Sequence, residues 1–124
     1  MRNLLIAAFL LVCIIAACHA DYRKISVEEA GSMMSESGDF ILLDVRTLGE
    51  FRQRRIEGAV LIPDSEIRNR AARELPDKNR TIFVYCQAGR RSENAARILV
   101  ALGYVNVYDF GGIIDWPYET INDF

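Results

Sequence analysis

Val84-Tyr85-Cys86-Gln87-Ala88-Gly89-Arg90-Arg91-Ser92 reads as the end of a strand, a tight loop and the start of a helix. The apolar run Ile82 to Tyr85 leads into Cys86, and a short loop with one glycine and two arginines follows. Beyond it, Ala95, Ile98, Leu99 and Leu102 fall at the i, i+3, i+4, i+7 spacing of a helix, with Gly103 placed to end it. A strand, a loop and a helix N-terminus that meet at one thiol aim backbone N–H groups at whatever anion the sulfur carries. The positive end of the helix dipole points the same way. Cys86 is therefore the candidate working residue, and Gln87, Ala88, Gly89, Arg90, Arg91 and Ser92 form its candidate cradle. Taken singly, Cys86 would be a small buried hydrophobe at a strand end, Gly89 a turn, and the arginines a solvated helix start. Their coincidence at this spacing favours a site.

Working outward, Phe40-Ile41-Leu42-Leu43 is a continuous apolar run of the kind buried on both faces of a parallel sheet. It ends in Asp44-Val45-Arg46. Asp44 and Arg46 are candidate supporting residues, with at least equal weight on the plainer reading that the Asp caps a turn or pairs with an Arg. Tyr22 to Ile25 reads as a short first strand. Ser26 is placed to cap a helix reaching about Ser35, with Glu28 and Glu29 in its first turn. A short helix at Leu48 to Arg54 and a strand within Gly58-Ala59-Val60-Leu61-Ile62-Pro63 come next. Asp64 or Ser65 is then expected to cap a helix carrying Ile67, Ala71 and Leu75. Pro76-Asp77-Lys78-Asn79 is a turn by composition. Val105 to Tyr108 reads as the last strand and Gly111-Gly112 as a turn. Trp116 reads as core, and Arg52, Arg54 and Arg55 as a solvated helix face. Strands alternating with helices in this way predict an α/β fold with a mainly parallel sheet. Ligands of such sheets bind beyond the carboxyl ends of the strands, where Asp44 and Cys86 should lie.

The first twenty residues do not read as part of that fold. Arg2 precedes an uncharged stretch from Leu4 to Ala17, and small residues lead to Asp21. This is the pattern of a secretory signal, and its apolar run is shorter than the roughly 20 residues of a membrane-spanning helix. Cys18-His19-Ala20 resembles a site cut after Ala20. Ile15-Ala16-Ala17-Cys18 resembles a bacterial lipobox, in which Cys18 would carry a lipid and attach the protein to a membrane. Either cut leaves one domain of about 104 to 107 residues, 21–124 in the first case, exported to the periplasm or cell envelope. The full chain has 15 basic and 17 acidic side chains, a balance that offers nothing to nucleic acid. Of its three cysteines, two are in or beside the leader. Cys86 would then be the sole free thiol in a compartment where disulfides form, and an internal disulfide is excluded.

A cysteine acts through its thiolate, and its usual helper is absent: the one histidine, His19, adjoins the leader. Cys–His catalysis is thus excluded on inventory. Stabilisation of charge on sulfur falls to the loop N–H groups, the helix dipole, and Arg90 or Arg91, an arrangement suited to small anionic substrates.

Four segments in order carry a resemblance: Leu43-Asp44-Val45-Arg46 with Glu50-Phe51, Ile56-Glu57-Gly58-Ala59-Val60-Leu61-Ile62-Pro63, Cys86 to Ser92, and Gly111-Gly112 with Trp116. Across the mature region the chain resembles the rhodanese-like domain, and with its leader it looks most like the small periplasmic, phage-shock type. It departs from the family at Arg55, where a histidine is frequent. The resemblance implies a single domain whose five-stranded sheet has helices on both faces. It implies sulfurtransferase chemistry through a Cys86 persulfide, from an anionic donor such as thiosulfate to a thiol or cyanide, with no metal or organic cofactor. A monomer is expected. The rival chemistry is that of phosphatases and arsenate reductases of related architecture, which place an arginine where this chain has Ser92. Here Arg91 falls one position early, so the loop is short for phosphate. A non-catalytic sulfur-carrier or binding module is the third reading.

Overall fold

The computed structural model describes residues 21–124; the leader, with Cys13, Cys18, His19 and both cleavage readings, lies outside the described residues. Strands β1 (Arg23–Lys24), β2 (Ile41–Asp44), β3 (Val60–Leu61), β4 (Ile82–Cys86) and β5 (Val107–Gly112) form one sheet. Its order is β1-β5-β4-β2-β3, and every pairing is parallel. Helices α1 (Val27–Glu36), α2 (Leu48–Gln53), α3 (Ile67–Glu74) and α4 (Arg90–Ala101) alternate with the strands. The predicted α/β class, the five parallel strands and the helices on both faces are all present.

Successive side chains of a strand point to opposite faces, so an unbroken apolar run is stable only where both faces are covered. Leu43, Val45, Ile82 and Val84 turn toward α3 and α4, where they meet Ile67, Ala71, Ala95, Ala96 and Leu99. Leu42, Phe83 and Tyr85 turn the other way, toward Val27 and Ala30 of α1 and toward Ile113 and Trp116. Every residue of β4 is buried, and each such aliphatic or aromatic side chain stabilises the fold by about 1.5–3 kcal/mol. Trp116 is core, as expected. Ser26 caps α1 as expected, its Oγ accepting the Glu29 N–H at 3.0 Å.

Four expectations need correction. Asp64 and Ser65 lie in a single 3-10 turn, Asp64–Glu66, and no side chain caps either that turn or α3. The turn itself feeds α3, so the helix needs no separate capping residue. The last strand starts later than Val105, whose N–H is taken by the Lys78 carbonyl and whose side chain is 52% exposed. It also runs through Gly111 and Gly112, which form no terminal turn. The β4–β5 register slips between Val84 and Cys86, so that Cys86 pairs with Gly112. Finally, Arg55 is not on a solvated helix face. It forms an antiparallel bridge with Ile121, stacks 4.7 Å over the Phe51 ring and pairs with Asp123 at 2.7 Å. Arg52 reaches the same Asp123 at 3.4 Å. The patch is partly a clasp for the C-terminal tail. Among the described residues no helix is long and apolar enough to cross a membrane.

Candidate active site

The sheet order puts β4 beside β2 while the chain leaves them in opposite directions, β2 toward β3 and β4 toward β5. This is the switch point at which open α/β sheets leave a crevice beyond the strand ends. Asp44 and Cys86 end those two strands, with Asp44 opposite Tyr85. Both predicted positions are therefore brought to one edge.

Cys86 is free and 1% exposed. The Gly89 N–H donates to its Sγ at 3.0 Å. Gly89 has φ +105°, a left-handed conformation that an L side chain resists, and it serves as the residue before α4. This backbone bend lets the strand double back within three residues and start a helix at the sulfur. The predicted loop is shorter than it reads from sequence: Arg90, Arg91 and Ser92 already belong to the first turn of α4. The N-terminus of a 12-residue helix thus faces the thiol, and its unpaired N–H groups and dipole favour negative charge there.

The cradle residues differ in their engagement. Gln87 is half-buried, with its carbonyl accepting the Ile114 N–H at 3.2 Å and its side-chain Oε1 accepting from Arg46 Nη1 at 3.3 Å. Ala88 and Arg90 are exposed. Ser92 is fully buried, and its hydroxyl points at the Gly89 carbonyl (3.0 Å), with the Gly111 carbonyl 3.4 Å away. Ser92 therefore braces the loop from behind. Arg91 donates Nη1 to Glu50 Oε1 at 2.7 Å and Nη2 to Glu50 Oε2 at 2.9 Å. That hydrogen bond holds the Glu50 carboxyl down at about 2, and raises Arg91 in turn.

Asp44 and Arg46 form the turn cap and ion pair of the plainer reading, and Arg46 also reaches the cysteine loop. Arg46 is 2% exposed and Asp44 fully buried. The guanidinium donates from Nη2 to Asp44 Oδ2 at 2.7 Å and from Nε to both carboxylate oxygens, while the Arg46 N–H donates to Oδ1 at 2.9 Å. The remaining donors reach the Arg54 carbonyl at the end of α2 and the Gln87 side chain. Burial opposes the Arg46 charge, but Asp44 outweighs it and the guanidinium is raised. Tyr85 completes this buried group: Ile56 N–H donates to its hydroxyl at 3.2 Å, and burial, with the Asp44 charge, pushes that hydroxyl up. The pair is thus an ion pair at a strand end that also touches the cysteine loop.

Sequence reasoning left three contributors without a site role: Glu50, Gly112 and Tyr85. The first carried a local signal, because Thr47-Leu48-Gly49-Glu50 spells a capping box. That box forms, with Glu50 N–H donating to Thr47 Oγ1 at 3.3 Å and Thr47 N–H to Glu50 Oε1 at 3.2 Å. Its pairing with Arg91, 41 residues away, left no local trace. Among the described residues no group of three or more His, Cys, Asp or Glu comes together as a metal would require.

The profile of the rhodanese-like domain matches residues 26–117. The chain belongs to this family. Thiosulfate sulfurtransferase PspE of Escherichia coli strain K12 is 44% identical over 73 residues, 59% of this chain and 70% of that protein. A sulfurtransferase of Allochromatium vinosum is 35% identical over 95 residues, 76% of this chain and 87% of the relative. Among solved structures, a rhodanese with anions from E. coli aligns with a TM-score of 0.62 at 39% identity, covering 66% of this chain and 96% of that one. In this rhodanese-like domain the strand-end cysteine and the helix behind it are therefore seated on the family's own fold.

Proposed function

We propose that the protein is a sulfurtransferase that moves sulfane sulfur from thiosulfate, or a persulfide, to a thiophilic acceptor through Cys86. The observation that carries this reading is the Gly89 N–H donated to Cys86 Sγ at 3.0 Å, at the N-terminus of α4. The named activities of the E. coli and A. vinosum relatives support it.

In the first half-reaction the Cys86 thiolate attacks the outer sulfur of thiosulfate. A new S–S bond forms, the donor's S–S bond breaks, and sulfite leaves with the electron pair. The enzyme then holds a persulfide anion, whose terminal sulfur lies among the N–H groups of residues 87–92 much as an oxyanion lies in its hole. In the second half-reaction an acceptor thiolate or cyanide attacks that terminal sulfur and restores the Cys86 thiolate. This is covalent catalysis with ping-pong kinetics. Arg90, exposed beside the loop, attracts the anionic donor. Arg91 is already engaged by Glu50, and position 92 is a buried serine, so the charge a phosphate site would need is not free. Asp44 and Arg46 act by positioning, through Gln87 and the end of α2.

Mass spectrometry after incubation with thiosulfate is expected to show one added sulfur on Cys86. Cys86→Ser is expected to lose both that adduct and thiocyanate production. Turnover of p-nitrophenyl phosphate without thiosulfate turnover would replace this reading with the phosphatase one. An adduct without turnover of any acceptor would favour a carrier module. We further propose that residues 1–20 direct export; labelling with a radiolabelled fatty acid separates a lipid-anchored Cys18 from a soluble protein cut after Ala20.

A further inference from the structure

Glu50 takes no part in the sulfur chemistry above, yet it holds a cation carried by the first turn of the helix that starts at the cysteine loop. Arg91 sits in the first turn of α4, where Glu50 foremost, and Cys86 to a lesser degree, favour its charged form. Its fork is closed on Glu50 by two parallel bonds of 2.7 and 2.9 Å, the bidentate form that fixes geometry as well as charge. Glu50 is itself fixed, because its Oε1 also accepts from the Thr47 backbone at 3.2 Å and the Thr47 hydroxyl at 3.1 Å. About two-thirds of each partner's side chain is shielded from water, at 31% and 32% exposure. Arg90, one residue earlier, is exposed and joins no ion pair among the described residues.

A second unpaired arginine beside the cradle would raise affinity for every small oxyanion alike. Thiosulfate would gain, but so would sulfite, sulfate and phosphate, which bring no sulfur that a thiolate can take. We propose that Glu50 is a specificity-determining residue: by occupying the fork of Arg91 it leaves Arg90 as the free cation at the Cys86 mouth, so that oxyanions lacking a transferable sulfur are held weakly. This rests on the sulfurtransferase reading of Cys86. Recognition is thereby shifted from total charge to what the N–H cradle can do for a sulfur bonded to Cys86.

The test is Glu50→Gln in the full chain. Gln at this helix position still completes a capping box, so the variant removes the charge while keeping the start of α2. Sulfate affinity is read from the slowing of Cys86 alkylation by iodoacetamide, which requires no sulfur transfer. Glu50→Gln is expected to tighten sulfate binding about fivefold, the scale of one partly exposed charge pair, and the gain should fade at high ionic strength. Inhibition of thiosulfate turnover by sulfate should rise in step. The double variant Glu50→Gln/Arg91→Gln should return sulfate affinity to near that of the parent, which a merely structural role for Glu50 would not produce. Glu50→Ala, which keeps only half of the cap, should move affinity in the same direction. Unchanged or weaker sulfate binding in both Glu50 variants would overturn the proposal. Absence of a Cys86 persulfide in the parent protein would instead overturn the sulfurtransferase reading, with the alkylation result still standing on its own.

Discussion

Gly112 and Gln87 lie so close that a Cβ on Gly112 would overlap the Gln87 carbonyl oxygen and come within 2.7 Å of Ala88 Cα. The φ of Gly112 is an ordinary −112°, so space and not backbone conformation demands the glycine. Both contacts are backbone atoms of the cysteine loop, which cannot rotate out of the way as a side chain would. Gly112→Ala is therefore expected to destabilise the domain by about 1–3 kcal/mol. It should also displace the Gly89 N–H from Sγ. Sulfur transfer measured at a temperature where the variant is still folded should fall at least tenfold; activity near that of the parent would show that the loop tolerates the shift.

Arg46 and Asp44 form a fully buried pair, and breaking such a pair leaves a charge without a partner. Arg46→Ala is expected to cost about 3–5 kcal/mol in urea unfolding. Arg46→Lys keeps the charge but cannot reproduce the fork that reaches Asp44, Arg54 and Gln87 together, so it should fall between the two. A loss below about 1 kcal/mol for Arg46→Ala would show that water replaces the guanidinium.

The Glu50–Arg91 pair has a defined acid limit. Its folded carboxyl lies at about 2, below the ordinary 4.5, because Arg91 hydrogen-bonds the ionised form. A depressed carboxyl contributes stability that is fully present above the unfolded value and lost as pH falls through the folded one. The difference in stability between the parent and Glu50→Gln should therefore be constant above about pH 5 and should shrink between 4.5 and 2. A difference that persists unchanged below pH 2 would mean the carboxylate charge contributes nothing to the pair.

Asp123 bridges Arg52 and Arg55 at the surface, with about a third of its side chain exposed. Exposed pairs contribute little, so Asp123→Asn should lower stability by no more than about 1 kcal/mol, a shift of a few degrees in thermal unfolding. Sulfur transfer should not change, because the clasp holds the tail and touches no residue of the cysteine loop.

The sheet and the thiol were legible in the sequence because their signals are local. An apolar run such as Phe40 to Leu43 has only one stable setting, a strand covered on both sides, and Ser26 announces its helix within three residues. Cys86 stood out because strand, glycine and helix periodicity fall within a dozen positions. What stayed hidden depends on contacts between distant segments. Gly111-Gly112 carry the composition of a turn, and what explains two glycines inside a strand is the φ of +84° at Gly111 and the close approach of Gln87 at Gly112. Arg90 and Arg91 are equivalent in sequence and are separated only by Glu50, which arrives from α2. Arg55 belonged by spacing to a helix face, and it is the C-terminal tail, folding back through Ile121 and Asp123, that partly shields it from solvent.

The burial of Cys86 carries a consequence for traffic through the site. A cysteine residue that is 1% exposed favours a slim donor that enters end-on. On the proposed sulfurtransferase reading, the reactive atom of a loaded Cys86 would stand one bond length farther out. The cycle would then alternate between a recessed and a protruding nucleophilic centre. Small molecules would load the enzyme, and bulkier thiols would be able to unload it, so that the depth of a single side chain sorts donors from recipients by girth.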